Sequence, residues 1–132
     1  MIRKHEMISK QWGFEEVIDN RPEYCGKILH IVKDFWVSFH KHLVKKEVFY
    51  LETGKIILFY SEQDNIKNAD TLEMEPGDSF YVYPGLNHAM LALEDARLFE
   101  FSSQHFDEDS YRIHKGGHKD TLEKLLKGEI NE

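Results

Sequence analysis

FHKHLVKKEVFYLETGK, residues 39–55, is the stretch that decides the fold. His40 and His42 are two apart, Glu47 follows after Leu43–Lys46, and Gly54 follows after six further residues, 48–53. Phe39, Val48, Phe49, Tyr50 and Leu51 surround them at strand-like spacing. Successive side chains of a strand alternate between its faces, so Ser38, His40 and His42 are expected on one face, with Phe39 and Lys41 on the other. Glu47, Phe49 and Leu51 share a face of the next strand, which sets a carboxylate beside two imidazoles. Gly54 is read as the turn that sends the chain back.

A third strand is expected to bring another ligand. His88 follows the turn Tyr83-Pro84-Gly85-Leu86-Asn87 and opens the run HAMLAL. Imidazole and carboxylate together suit a divalent transition metal: Zn, Mn, Fe, Co or Ni.

Working outward, short runs rich in β-branched and aromatic residues continue from about residue 14 to 114. They are FEEVI (14–18), YCGKILHIV (24–32), FWVSFHKH (35–42), EVFYLE (47–52), KIILFY (55–60), DTLEM (70–74), DSFYVY (78–83), HAMLAL (88–93) and ARLFEFSS (96–103). Many short strands separated by Pro, Gly, Asn and Asp predict an all-β sandwich or barrel. The first dozen residues are expected to form an arm or a loose helix. DTLEKLLKG predicts one C-terminal helix, about 119–128, with Asp120 as N-cap, Glu123 completing a capping box and Gly128 as the stop.

The chain has 132 residues, 41% of them hydrophobic, which suits one domain, 1–132, with its barrel over about 12–114. A net charge of −7 argues against a nucleic-acid partner. Cys25 is the sole cysteine, so no internal disulfide forms, and a reducing, cytoplasmic setting is expected. No apolar run is long enough for a membrane span, and none resembles a signal peptide. A spare edge strand predicts a homodimer.

HKHLVKKEVFYLETG resembles the first motif of the cupins: HxH, three or four residues, E, six residues, G. GDSFYVYPGLNH resembles their second motif, with its proline-glycine turn reduced to Pro84-Gly85. Ala92 stands where an asparagine is common. The resemblance implies a cupin-type double-stranded β-helix, or jelly-roll barrel, with His40, His42, Glu47 and His88 as metal ligands.

WGFEEVI (12–18) and FEFSSQHFDEDSYRI (99–113) look like the segments flanking the barrel in cupins related to mannose-6-phosphate isomerase. That resemblance implies an isomerase or epimerase of a sugar or sugar phosphate, with the metal polarising a carbonyl. Two other readings stay open: a non-catalytic sugar-binding module and an iron-dependent dioxygenase. For proton transfer the candidates are His105, Tyr81 and Tyr83, provided they face the cavity; the tyrosines also suit barrel core. The acidic run Asp107–Asp109 beside Arg112 reads either as a solvated turn or as a polar rim on which Arg112 binds an anion. Lys41 is a further substrate-binding candidate. Lys41, Lys45 and Lys46 read equally well as solvated charges at a strand end.

Overall fold

The apolar runs become ten antiparallel strands among the residues that the computed structural model describes, residue 2 and residues 4–131. They are β1 (Glu6–Lys10), β2 (Gly13–Arg21), β3 (Tyr24–Ile31), β4 (Phe35–Lys41), β5 (Glu47–Ser61), β6 (Asp70–Met74), β7 (Ser79–Val82), β8 (Asn87–Ser102), β9 (Tyr111–His114) and β10 (Gly117–His118). One helix, α1 (Lys119–Lys127), follows.

Two long strands organise everything else. The first half of β5 pairs with β7 and with the second half of β8, and β8 continues into β3, β2 and β1. The second half of β5 pairs with β6 and with the first half of β8, and β8 there meets β4, which carries β9 and β10. The sheet therefore curls into two half-sheets that share their central strands. Leu29, Ile31, Phe49 and Leu98 from one half meet Val37, Ile56, Leu58 and Met90 from the other in a single buried core.

Three sequence expectations need correction. EVFYLE and KIILFY are one strand, as are HAMLAL and ARLFEFSS. Gly54 is no turn: it lies inside β5, where the β5–β8 register slips three times between Leu51 and Ile56. Its φ is +92°, and a Cβ there would sit 2.3 Å from the Asp95 carbonyl oxygen. The glycine thus lets a continuous strand bend from one half-sheet to the other. The N-terminal arm is β1, an edge strand paired along its length with β2.

Helix α1 starts one residue before the expected cap. His118, not Asp120, is the N-cap: its Nδ1 accepts a hydrogen bond from the Asp120 N–H at 3.2 Å. Gly128 closes the helix in the left-handed conformation, as its sequence position predicts. Leu122 and Leu125 are buried against Trp36, Phe39, Phe59 and Ala89 on the outer face of the β4 half-sheet. Burial of each leucine stabilises by about 1.5–3 kcal/mol. No helix among the described residues is long and apolar enough to cross a membrane.

Candidate metal centre

The site begins with an irregularity in β4. Val37 pairs with Met90 and His40 with His88, so Ser38 and Phe39 together oppose the single residue Ala89. This bulge changes which face each side chain takes. Trp36 and Phe39 both pack outward under α1, while Val37 and His40 both face the interior cavity. Unbroken alternation would have placed Trp36 and His40 on the same face.

His40, His42 and His88 converge, each offering a ring nitrogen within 4.8 Å of the others. The local backbone decides which nitrogen points inward. His40 Nδ1 lies 2.8 Å from the Ser38 carbonyl, His42 Nδ1 3.0 Å from the Asp109 carbonyl, and His88 Nδ1 3.0 Å from the Leu86 carbonyl. A carbonyl oxygen only accepts, so Nδ1 carries the proton in all three rings. Each Nε2 is left with a lone pair aimed at the centre, the usual arrangement of a metal-ligating histidine.

Glu47 completes the group. Its Oε2 is 3.3 Å from the Nε2 of His42 and 3.3 Å from that of His88. Both carboxylate oxygens and the His88 Nε2 are buried without a hydrogen-bond partner among the described residues. Orphaned buried acceptors are costly, and a divalent cation among them removes that cost. The donor set of imidazoles and one carboxylate fits such an ion.

The electrostatics point the same way. Burial, reinforced by the proximity of His88 and His42, since two neighbouring rings cannot easily both be charged, drives the His40 imidazole well below its ordinary range, so it stays neutral and able to ligate. Burial alone would raise the Glu47 carboxyl, but hydrogen bonding from His42 and His88 whenever their Nε2 atoms are protonated, together with Lys45, outweighs it and holds the group well below the usual carboxylate range.

The four predicted ligands, His40, His42, Glu47 and His88, are thus brought together. Other predicted residues separate. Arg112 lies opposite His40 on β9 and lines the cavity. His105 lines it too, but both its nitrogens are engaged: Lys45 Nζ donates to Nδ1 at 3.0 Å, and Nε2 donates to Asp107 at 2.9 Å. Tyr81 and Tyr83 lie outside the cavity. Alternation along β7 turns Phe80 and Val82 inward and leaves Tyr81 exposed, while the Tyr83 hydroxyl donates to Glu62 at 2.5 Å. Lys41 also points away, to an ion pair with Asp64 at 3.0 Å.

Sequence reasoning missed Lys45 and Glu100. Lys45, read as a solvated charge, is 2% exposed and sits between Glu100 at 2.6 Å and Glu47 at 3.6 Å. Burial alone would lower its ammonium, but those two carboxylates outweigh it and raise the group above its ordinary value. Lys27, also buried, pairs with Glu15 at 3.1 Å on the same cavity wall. A signal was present. Cys25, Lys27, Leu29 and Ile31 share one face of β3, and Ala96, Leu98 and Glu100 one face of β8. Each row is apolar apart from one charge, and Lys27 pairs with Glu100 in register.

The acidic run divides as well. Asp107 and Glu108 are exposed, whereas Asp109 is buried and accepts the backbone N–H groups of Leu43, Val44 and Lys45 at 2.9, 3.1 and 3.0 Å. It moulds the link between His42 and Glu47. Asp109→Ala leaves three N–H groups without that acceptor, at about 1–3 kcal/mol for each that stays buried and unsatisfied. A loss of about 3 kcal/mol in chemical denaturation is expected, with weaker metal binding as His42 and Glu47 drift apart. Asp109→Asn should recover part of both.

No protein-family model matches the chain, and no curated protein matches it. Solved structures do. CapF, a capsular polysaccharide assembling protein from Staphylococcus aureus, superposes with a TM-score of 0.71 at 16% identity, over 82% of this chain and 34% of that one. The chain therefore spans about a third of CapF. An RmlC-like cupin from Shewanella frigidimarina matches with a TM-score of 0.67 at 16% identity, over 80% of this chain and 88% of that one. PAC13 from Streptomyces, solved with uridine, matches with a TM-score of 0.72 at 9% identity, over 89% and 90%. Identities this low speak to architecture alone, and the architecture of this chain is the cupin fold with a buried three-histidine cluster that could hold a metal ion.

Proposed function

We propose that the protein is a metal-dependent isomerase or epimerase of a sugar phosphate. The observation that carries this reading is the junction of two features in one cavity of about 560 Å³: the His40–His42–His88–Glu47 cluster and the buried Lys45–Glu100 ion pair. The volume suits a small ligand, and the lining mixes charged and apolar groups, as polyol recognition requires. The likeness to a polysaccharide-assembling protein agrees with a carbohydrate ligand.

His40, His42, His88 and Glu47 would hold the metal, which when bound supplies a Lewis acid for a carbonyl. The remaining work falls to the chain. Lys45 offers an N–H to the substrate oxygen that gains charge as a proton leaves the neighbouring carbon. Glu100 is the carboxylate that takes and returns that proton. His105, held by Asp107, orients Lys45. Arg112, Lys10 and Lys115 line the same cavity, and none of them has an ion pair among the described residues. In a chain of net charge −7, three uncompensated cations at one mouth suit a phosphate.

Solvent exchange tests this. Metal-loaded protein in D₂O, offered aldose and ketose phosphates and their unphosphorylated counterparts, should place deuterium on the carbon beside the carbonyl, read by NMR. Phosphorylated sugars should exchange at least ~10-fold faster, about 1.4 kcal/mol of discrimination, and Arg112→Met should erase the difference. Saturable binding with no exchange by any sugar would instead make the protein a binding module. Oxygen uptake with bound iron would make it an oxygenase.

A further inference from the structure

One exposed loop ties down the chain on either side of the three imidazoles. Residues 62–65 run from the end of β5 to a 3-10 turn, Ile66–Asn68, and Ile66 is buried with Leu122, Leu125, Trp36 and Phe39 beneath α1. Asp64 lies in this loop, its side chain 54% exposed. Its Oδ1 accepts hydrogen bonds from Lys41 Nζ at 3.0 Å and from Asn87 Nδ2 at 2.8 Å. Lys41 stands between His40 and His42, and Asn87 directly precedes His88. Side chains alternate along a strand, so Lys41 and Asn87 reach outward from the two segments whose imidazoles reach inward.

We infer that Asp64 is a positioning residue for the metal centre. From outside the barrel, its carboxylate fixes the segment carrying His40 and His42 against the segment carrying His88. This role rests on the reading of the three-histidine cluster as a metal site. The backbone shows why a tie is needed there. The β4–β8 ladder ends at the His40–His88 pair, and Lys41 pairs instead with Tyr111 of β9. Beyond it, the Gly85 N–H donates to the His42 carbonyl at 2.7 Å. Asp64 spans the interval between those two attachments, at the residue that separates two of the ligands.

The grip on the β8 side is firm. Asn87 is fully buried, and its amide nitrogen donates both to Asp64 and, at 3.1 Å, to the Gln63 carbonyl. A buried amide that spends its donors on one loop is costly to detach from it. Two acceptors facing Nδ2 also settle which end of the amide points at the loop. Tyr83, in the turn that leads to His88, holds the same loop through Glu62. The Lys41–Asp64 pair is exposed, and such pairs add little to overall stability. Its effect is therefore expected in the placement of the rings rather than in the folding of the chain.

Cobalt(II), added alone to metal-free protein, tests the inference through its affinity against a competing chelator and its visible ligand-field spectrum. Asp64→Ala should weaken binding about 10-fold, the low end of the ~10–100-fold typical when an outer partner of a ligand is lost. It should also shift the spectrum, while the urea midpoint of the metal-free protein stays near that of the wild type. Asp64→Asn keeps an acceptor for Asn87 and should recover most of the affinity and the wild-type spectrum. Lys41→Met should weaken binding too, and adding it to Asp64→Ala should cost nothing further, since both break one tie. Lys55→Met, which breaks the exposed pair with Glu73 at 3.3 Å, should change neither readout. Wild-type affinity and spectrum in Asp64→Ala would overturn the role. So would weaker binding with an unchanged spectrum and a matching fall in the urea midpoint, which marks a merely structural residue. A wild type that takes up no cobalt would overturn the metal centre itself, and this role with it.

Discussion

His88→Gln should cost the protein its metal. Replacing His88 removes one of three converging Nε2 lone pairs from a site that has no slack: the ring is fully buried and its other nitrogen is committed to the Leu86 carbonyl. Glutamine cannot repeat that geometry. Loss of an outer partner of a metal ligand typically costs ~10–100-fold in affinity, so removal of a ligand should cost more than ~100-fold. Competition with a chromophoric chelator measures this directly. The pH dependence carries a sign. Burial and the neighbouring imidazoles keep His40 neutral well below the ordinary histidine range, so the wild type should still hold metal at pH 6, where a free imidazole is largely protonated. Release already at pH 6.5 would show that His40 is not held neutral for an ion.

Lys45→Met should be the most damaging single change to the fold around the site. It leaves Glu47 and Glu100, both buried, without the ammonium that lies 3.6 and 2.6 Å from them. Removing one partner of a buried ion pair costs about 3–5 kcal/mol. For a chain of this length that corresponds to a fall in Tm on the order of 10–20 °C, read by thermal unfolding. Adding Glu100→Gln should restore part of the loss, since the second change removes the stranded charge. A Tm within a few degrees of wild type would return Lys45 to the role its sequence suggests, a solvated charge at a strand end.

That lysine shows where the sequence is legible and where it is not. The four-residue cluster is readable because its spacing is enforced locally: HxH keeps both imidazoles on one side at the end of β4, His40 within it and His42 just beyond, and the short link to Glu47 places the carboxylate on a nearby strand. The turn before His88 does the same for the last ring. What local spacing hides is the consequence of irregular backbone. The bulge at Ser38–Phe39 and the bend at Gly54 change faces and join strands, and a glycine in a strand looks the same in sequence as a glycine in a turn. Lys45 and Asp109 were obscured for a related reason. Each lies in a connection rich in charge, and only the folded chain shows that one fills the cavity and the other holds the connection's N–H groups. The tyrosines of β7 point outward because that strand alternates strictly.

The central claim is that His40, His42, His88 and Glu47 form a metal site. Elemental analysis of protein purified without an affinity tag, alongside His40→Ala and His88→Gln, tests it most directly. One equivalent of a first-row divalent transition metal per wild-type chain, and none in either variant, is the result the geometry predicts. Folded wild-type protein that neither carries such a metal nor takes one up when it is supplied would contradict it.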